Sequence, residues 1–140
     1  MKKPQLLTVV MLISIELFSQ VKDPVDYVNP FIGTDFHGHT YPGATVPFGM
    51  VQLSPDTRLT GWDGCSGYHY SDRVIYGFSH THLSGTGASD YGDILITPVS
   101  GKPVFENTRY SSPFKKENEM AVAGYYSVFL DKYKVQAELT

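Results

Sequence analysis

The fold class is decided by the last part of the chain, Gly124-Tyr125-Tyr126-Ser127-Val128-Phe129-Leu130, then Asp131-Lys132, then Tyr133-Lys134-Val135-Gln136-Ala137-Glu138-Leu139-Thr140. In the second arm, apolar and polar residues alternate without interruption. A period of two with one apolar face is typical of an antiparallel strand that packs on one side only. We therefore predict a β-hairpin with a two-residue turn at Asp131-Lys132. Because the second arm ends at Thr140 without a turn, we expect the domain to be incomplete at that point.

Two further strands are predicted upstream of the hairpin. Residues 48–53 (Phe-Gly-Met-Val-Gln-Leu) follow Pro47 and end before Ser54-Pro55, and residues 93–97 (Asp-Ile-Leu-Ile-Thr) form a more buried run that ends at Pro98. The 140 residues include 13 Gly and 9 Pro, which leave little room for long helices. The sequence predicts an all-β fold with antiparallel sheets.

Composition and charge narrow the class of protein. The length suits one domain, and 14 acidic against 11 basic side chains give a formal net charge of −3. Phosphate recognition needs concentrated positive charge, so we expect no nucleic-acid partner. The pair Lys115-Lys116 is predicted to lie in a solvated loop.

The N-terminal residues have the pattern of an export signal. Lys2 and Lys3 precede a largely apolar run over residues 6–18, which is too short for a comfortable membrane span. We predict a signal peptide over residues 1–20 and a mature domain over 21–140, exported to the periplasm or the medium, with no membrane span after signal removal. The single cysteine, Cys65, cannot form an internal disulfide and is predicted to be a small buried residue.

Two long loop regions, residues 29–45 and 54–91, contain all five histidines and the only tryptophan. Loops of this length in a compact domain are usually functional. Their many glycines allow the backbone to approach a ligand closely. Aromatic rings can cover the C–H face of a sugar while carboxylate, imidazole and hydroxyl groups bind its hydroxyls. The loops therefore predict a sugar-binding surface.

Three runs occur in a fixed order along the chain. They are Val28-Asn29-Pro30-Phe31-Ile32-Gly33-Thr34, the run Pro-Gly-Ala-Thr-Val-Pro-Phe-Gly-Met-Val-Gln-Leu-Ser-Pro-Asp at residues 42–56, and Phe-Ser-His-Thr-His-Leu-Ser-Gly-Thr-Gly at residues 78–87. Together they resemble the N-terminal domain of family 92 of the glycoside hydrolases, the exo-acting α-mannosidases. The resemblance covers roughly residues 26–140.

This resemblance implies a β-sandwich packed on a helical (α/α)6 barrel domain, which is absent here and expected downstream. It also implies calcium-dependent, inverting hydrolysis of terminal α-linked mannose, for example α-1,2 linkages, in mannose-containing glycans. The catalytic acid and base of the family lie in the helical domain, so no residue of this chain inherits those roles. The calcium ligands are likewise expected mostly in the helical domain.

Four residues of the loops are predicted to contact the sugar. Trp62 would form an aromatic wall, with a core position as the alternative. Asp63 would bind a hydroxyl or serve as a turn residue. His80 and His82 would share one face of an extended segment, roughly 6.5 Å apart, for ligand contact or for structural hydrogen bonds.

Two other functions remain open at this point. The first is a zinc hydrolase, which would use paired imidazoles and one carboxylate, drawn from His37, His39, His80, His82 and either Asp35 or Asp90. The second is a non-catalytic sugar-binding or structural β-sandwich module.

Overall fold

The computed structural model of the chain describes residues 22–46, 48–85, 87–88 and 92–140. The predicted signal peptide, residues 1–20, lies outside the described residues. The strands are β1 (Ser54–Asp56), β2 (Val74–Ile75), β3 (Gly77–Ser79), β4 (Ser112–Pro113), β5 (Glu119–Val122), β6 (Tyr125–Leu130) and β7 (Val135–Leu139). One α-helical turn, α1, spans Asn107–Tyr110, and 3-10 turns span Pro24–Tyr27, Trp62–Gly64 and Lys116–Asn118.

All strand pairs among the described residues are antiparallel, in the combinations β1-β3, β2-β4 and β5-β6-β7. This architecture confirms the predicted all-β class. Within the part of the chain that the structure describes, no helix is long and apolar enough to cross a membrane.

The C-terminal sheet confirms the two predicted hairpin arms and corrects the turn between them. Leu130 pairs with Val135, so the turn contains four residues, 131–134, and not the predicted two. Lys134, the last residue of the turn before β7, has a left-handed backbone conformation with φ 54°. The two-residue turn lies one strand earlier, at Ala123-Gly124, where Gly124 has φ 76°.

The alternation in β7 has the predicted effect. Ala137 and Leu139 are buried, whereas Gln136 and Glu138 are exposed. The two buried side chains belong to the core cluster, which is made up of Ala44, Ile75, Phe78, Phe114, Tyr126, Val128, Leu130, Ala137 and Leu139. Burial of each large apolar side chain in such a cluster contributes roughly 1.5–3 kcal/mol. Packing of this sheet against β2 and β3 therefore accounts for most of the core.

The predicted strand at residues 48–53 is wrong. Gly49 has φ 61° and donates its N–H to the carbonyl of Thr45 at 2.9 Å, which closes a turn instead of extending the chain. Phe48 and Met50 are 86% and 85% exposed as a result. Pairing begins only at Leu53, which forms a bridge with Ala44, and continues into β1.

The predicted buried strand at residues 93–97 is also wrong. Ile94 is 71% exposed and has φ 57°, a left-handed conformation that interrupts an extended run. Only Ile96 pairs, through an isolated bridge to Phe78. The remaining apolar side chains of this run do not reach the core cluster.

The predicted solvation of Lys115-Lys116 holds for Lys115 and is wrong for Lys116. The Lys116 ammonium lies 2.9 Å from Glu119, whose side chain is 1% exposed. It also lies 4.6–4.7 Å from the ring centroids of Tyr68, Tyr70 and Phe114. Aromatic faces attract a cation and cover its aliphatic stem, so this lysine is buried with its partner.

The carboxylate of Glu119 is the centre of this buried network. It accepts hydrogen bonds from the hydroxyls of Tyr68 at 2.9 Å and Tyr126 at 2.7 Å as well as from Lys116. Burial raises the pKa of both tyrosines, and the nearby negative charge of Glu119 adds to the shift. Burial lowers the pKa of Lys116, against the opposing influence of Glu119. The network joins the second loop region to the C-terminal sheet.

Candidate functional site

The first predicted site residue, Trp62, lies at an exposed loop tip. It begins the 3-10 turn Trp62–Gly64, which follows Gly61 at φ 87°. Trp62 is 61% exposed, so the alternative of a core tryptophan is wrong. The glycines on either side of Trp62-Asp63 already favoured this loop position.

The Trp62 ring is in contact with two other parts of the chain. The His39 ring meets it edge to face, with centroids 4.9 Å apart and an interplanar angle of 76°. Gly87 comes so close that an added Cβ would lie 2.0 Å from Cζ3 of the indole. The indole therefore has a defined place between the first loop region and the 78–87 run, although much of it faces solvent.

Asp63, the next residue, is held by a hydrogen bond from the first loop region. His37 Nδ1 donates to Asp63 Oδ1 at 2.7 Å, and the two side chains are 79% and 31% exposed. This hydrogen bond lowers the pKa of Asp63 against the opposing effect of desolvation, and the nearby guanidinium of Arg58 acts in the same direction as the hydrogen bond. The carboxylate is thus kept ionised, and a carboxylate with one hydrogen bond retains capacity to accept others.

His39 is a residue whose importance the sequence did not reveal. It is 8% exposed, and its Nε2 has no hydrogen-bond partner among the described residues. A buried polar atom without a partner costs about 1–3 kcal/mol, which makes such atoms uncommon outside functional sites. The only signal in the sequence was the His-x-His repeat, which had been interpreted as a metal pattern.

His82 is buried within a hydrogen-bonded cluster. Its Nδ1 donates to the carbonyl of Gln52 at 2.6 Å, and its Nε2 lies 3.0 Å from Asp56 Oδ1 and 3.1 Å from Ser79 Oγ. In a catalytic triad the serine and the aspartate contact opposite ring nitrogens. Here both contact Nε2, so the cluster cross-links β1, β3 and the loop after β3 and does not form a triad.

His80 has different surroundings from His82. Its Nδ1 donates to the carbonyl of Ile94 at 2.9 Å, and its ring lines an apolar groove beside β7 of about 280 Å³. The extended segment ends at Ser79, and the two imidazoles bind different parts of the chain, His80 the carbonyl of Ile94 and His82 the carbonyl of Gln52. The predicted common face of His80 and His82 is therefore not formed, and their contact with a sugar stays a prediction.

The described residues do not gather into a metal centre. No three His, Cys, Asp or Glu side chains among them come together as a possible ion site. His37 is bonded to Asp63, and Asp35 lies 3.9 Å from His69. Asp90 lies outside the described residues. Calcium prefers oxygen ligands, and no cluster of three Asp or Glu side chains occurs among the described residues, so no chemical step is assigned to calcium here.

Cys65 is 3% exposed, as predicted, and burial raises the pKa of its thiol. A thiol with a raised pKa is a poor nucleophile at neutral pH. Cys65 is therefore not an activated nucleophile.

Antiparallel sheets joined by long loops, one of which carries an exposed tryptophan beside a carboxylate, define an all-β, loop-bearing domain. The protein-family model described as "Glycosyl hydrolase family 92 N-terminal domain" matches residues 27–140 of this chain. The chain belongs to this family, as its sequence runs predicted.

Three relatives illustrate the similarity. A family GH92 alpha-mannosidase from Bacteroides thetaiotaomicron, solved in complex with mannoimidazole, is 46% identical in sequence and has a TM-score of 0.77. The match covers 81% of this chain and 16% of the mannosidase chain. A family GH92 inverting mannosidase from the same species is 35% identical with a TM-score of 0.69 over 84% of this chain and 17% of its own. An uncharacterized secreted glycosidase of Arthroderma benhamiae is 29% identical over 100% of this chain and 19% of its own.

The chain therefore spans less than a fifth of the length of each of these relatives.

Proposed function

We propose that this chain is the N-terminal part of an exported, inverting α-mannosidase and that its loops supply one wall of the mannose-binding pocket. The observation that carries the proposal is the exposed Trp62 beside the ionised Asp63. The relatives described as alpha-mannosidases and as a secreted glycosidase support it.

In this proposal the described residues bind and orient the sugar. The Trp62 indole covers the apolar C–H face of the mannose ring, and Asp63 accepts a hydrogen bond from a hydroxyl. His80 contributes a further polar contact at the edge of the pocket. His82 is buried, so its contribution is to hold the loop after β3 in place.

Bond cleavage belongs to chain that is not present in these 140 residues. Inversion requires a carboxylic acid that protonates the leaving oxygen and a carboxylate base that activates water on the opposite face, about 6.5–9.5 Å away. We assign both groups, and the calcium ligands, to a helical (α/α)6 domain of the longer protein. Calcium would bind sugar hydroxyls there and favour a distorted ring.

An apolar surface supports a large intramolecular partner. Phe48 and Met50 are 86% and 85% exposed, and Val51 beside them is 52% exposed. Contiguous exposed apolar side chains usually mark an interface. We assign this surface to contact with the helical domain of the same protein.

The decisive test is Trp62→Ala in the longer protein. We expect kcat/KM for an aryl α-mannoside to fall by more than tenfold, which corresponds to about 1.4 kcal/mol. Tyr27→Ala is the matched control, since Tyr27 is an aromatic ring that is 71% exposed and belongs to another turn, Pro24–Tyr27. Wild-type kinetics in the Trp62 variant would place Trp62 outside the pocket.

A second experiment separates this proposal from a non-catalytic module. We expect the 140-residue chain alone not to hydrolyse an aryl α-mannoside, because a glycosidase needs two placed carboxylates and we assign both to the helical domain. Measurable turnover by the pure chain would contradict this assignment. Tight mannose binding by the chain alone, together with no activity in the longer protein, would favour a sugar-binding module.

A further inference from the structure

We propose that His37 and His39 are positioning residues that hold Asp63 and Trp62 in the orientation needed to bind the sugar. The proposal rests on the proposed function, because it assumes that Trp62 and Asp63 contact mannose. It gives the His-x-His repeat of the first loop region a role that needs no metal ion.

His37 fixes the carboxylate. Its Nδ1 donates to Asp63 Oδ1 at 2.7 Å across 26 residues of sequence. The pair is exposed, and exposed ion pairs contribute little to folding. Their measurable effect is orientation: one carboxylate oxygen is held by imidazole, and the remaining lone pairs are directed at a ligand hydroxyl.

His39 and Gly87 fix the indole. The His39 ring packs edge to face on Trp62 at 4.9 Å, and Gly87 touches the indole with no room for a methyl group. Aromatic pairs of this geometry are favourable because a positive ring edge meets a negative ring face. An otherwise exposed side chain is thereby restricted in the rotamers it can adopt, and pre-organisation of this kind lowers the entropic cost of binding.

The loop that carries the two histidines is itself tightly defined. Gly38 donates its N–H to the carbonyl of Asp35 at 2.9 Å. An added Cβ at Gly38 would lie 2.2 Å from the carbonyl oxygen of Gly33. The backbone of His39 is held as well, because its carbonyl accepts a hydrogen bond from Gly85 at 2.6 Å. Both imidazoles therefore have fixed starting points.

The first experiment uses Trp62 as its own reporter, since it is the only tryptophan in the 140-residue chain. We expect His39→Ala and Gly87→Ala to increase quenching of Trp62 fluorescence by acrylamide. His39→Phe should restore the wild-type value because it keeps the ring edge. Gly101→Ala is the control for Gly87→Ala: Gly101 has φ 93° and open space around it, so the change adds backbone strain without touching the indole.

The second experiment measures kinetics in the longer protein. We expect His37→Phe and His39→Ala to raise KM by about three- to tenfold with little change in kcat, because they disturb ground-state and transition-state binding alike. His37→Asn should recover most of the loss, since its side-chain amide can place an N–H near the position of Nδ1. Thermal midpoints should stay at the wild-type value for His37→Phe.

The outcomes separate this inference from the proposed function. If Trp62→Ala impairs binding while His37→Phe and His39→Ala leave both KM and Trp62 quenching unchanged, the positioning role is wrong and the proposed function stands. If Trp62→Ala itself has wild-type kinetics, the proposed function fails. If the histidine variants lower the apparent kcat in proportion to a loss of folded protein and leave KM unchanged, their role is structural and the inference is overturned.

Discussion

Two hydrogen-bonded pairs of a basic and an acidic side chain in this chain have similar geometry and very different surroundings. Lys116 and Glu119 are 2.9 Å apart with side chains that are 12% and 1% exposed, whereas His37 and Asp63 are 2.7 Å apart and 79% and 31% exposed. The first pair is enclosed by tyrosines, and the second faces water beside Trp62. A buried pair constrains the fold because either partner alone is costly, while an exposed pair is free to serve a ligand.

The largest expected effect breaks the buried pair. Glu119→Gln leaves the Lys116 ammonium without its counter-charge beneath three aromatic rings. Removing one partner of a buried pair costs about 3–5 kcal/mol. We expect a loss of this size in the free energy of unfolding, measured by urea denaturation. The control is Glu117→Gln on the exposed side of the same turn, and equal stability of the two variants would contradict the comparison.

A smaller loss is expected at His82, which resembles the buried pair more than the exposed one. His82→Ala leaves the carbonyl of Gln52 without its imidazole donor and removes the ring nitrogen that lies 3.0 Å from Asp56 Oδ1. Such unsatisfied groups cost about 1–3 kcal/mol. We expect chemical denaturation to show a loss in this range. If the variant folded with wild-type stability and lost only sugar binding, His82 would instead be a ligand residue.

An alkaline titration tests the surroundings of the buried pair, because Tyr68 and Tyr126 donate hydrogen bonds to Glu119. The pKa values of Tyr68 and Tyr126 are raised in the fold, whereas a tyrosine in the unfolded chain ionises near pH 10. Above about pH 10 the unfolded state binds fewer protons than the folded state, so these two groups make stability fall as the pH rises.

The lowered pKa of Lys116 acts in the opposite direction, but only below the pH at which an unfolded lysine ionises, about 10.4. We therefore expect two of the ten tyrosines to resist ionisation until the fold is lost, measured by absorbance at 295 nm during an alkaline titration. Ionisation of all ten in one step near pH 10, with the fold intact, would contradict this expectation.

The smallest expected effect concerns the exposed pair. The pKa of Asp63 is lowered mainly by the hydrogen bond from His37. The stabilising contribution of this carboxylate is present above the ordinary aspartate value, about 3.9, and is lost as the pH falls through the lowered folded value. In His37→Phe we expect the pKa of Asp63 to return toward its ordinary value, measured from carboxyl carbon shifts in NMR. An unchanged value would mean that another group holds the carboxylate.

The sequence predicted best those features that local patterns determine. Strict alternation located β7, and the glycines around Trp62 indicated its exposed position. The ordered runs indicated the family. In each case the signal is carried by short runs of neighbouring residues.

Features that depend on distant partners were not predictable in the same way. Ser54-Pro55-Asp56 was predicted to end a strand, yet it forms β1 because it pairs with Gly77–Ser79, more than 20 residues further on, where the Asp56 carboxylate also accepts the N–H of Ser79. Residues 48–53 were predicted as a strand, yet a turn at Gly49 leaves Phe48, Met50 and Val51 exposed. Lys116 was predicted to be solvated because the residues next to it in sequence do not indicate its contact with Tyr68, 48 residues earlier. The bond from His37 to Asp63 was hidden for the same reason.

The turn that exposes Phe48 and Met50 has a practical consequence for producing this chain in the laboratory. Two large side chains that are more than four-fifths in water promote self-association at the concentrations used for spectroscopy. Phe48→Ser and Met50→Gln reduce the exposed apolar surface. They leave no cavity, since the side chains of Phe48 and Met50 are not part of the core. Such a double variant would be the sensible starting material for the fluorescence and NMR measurements.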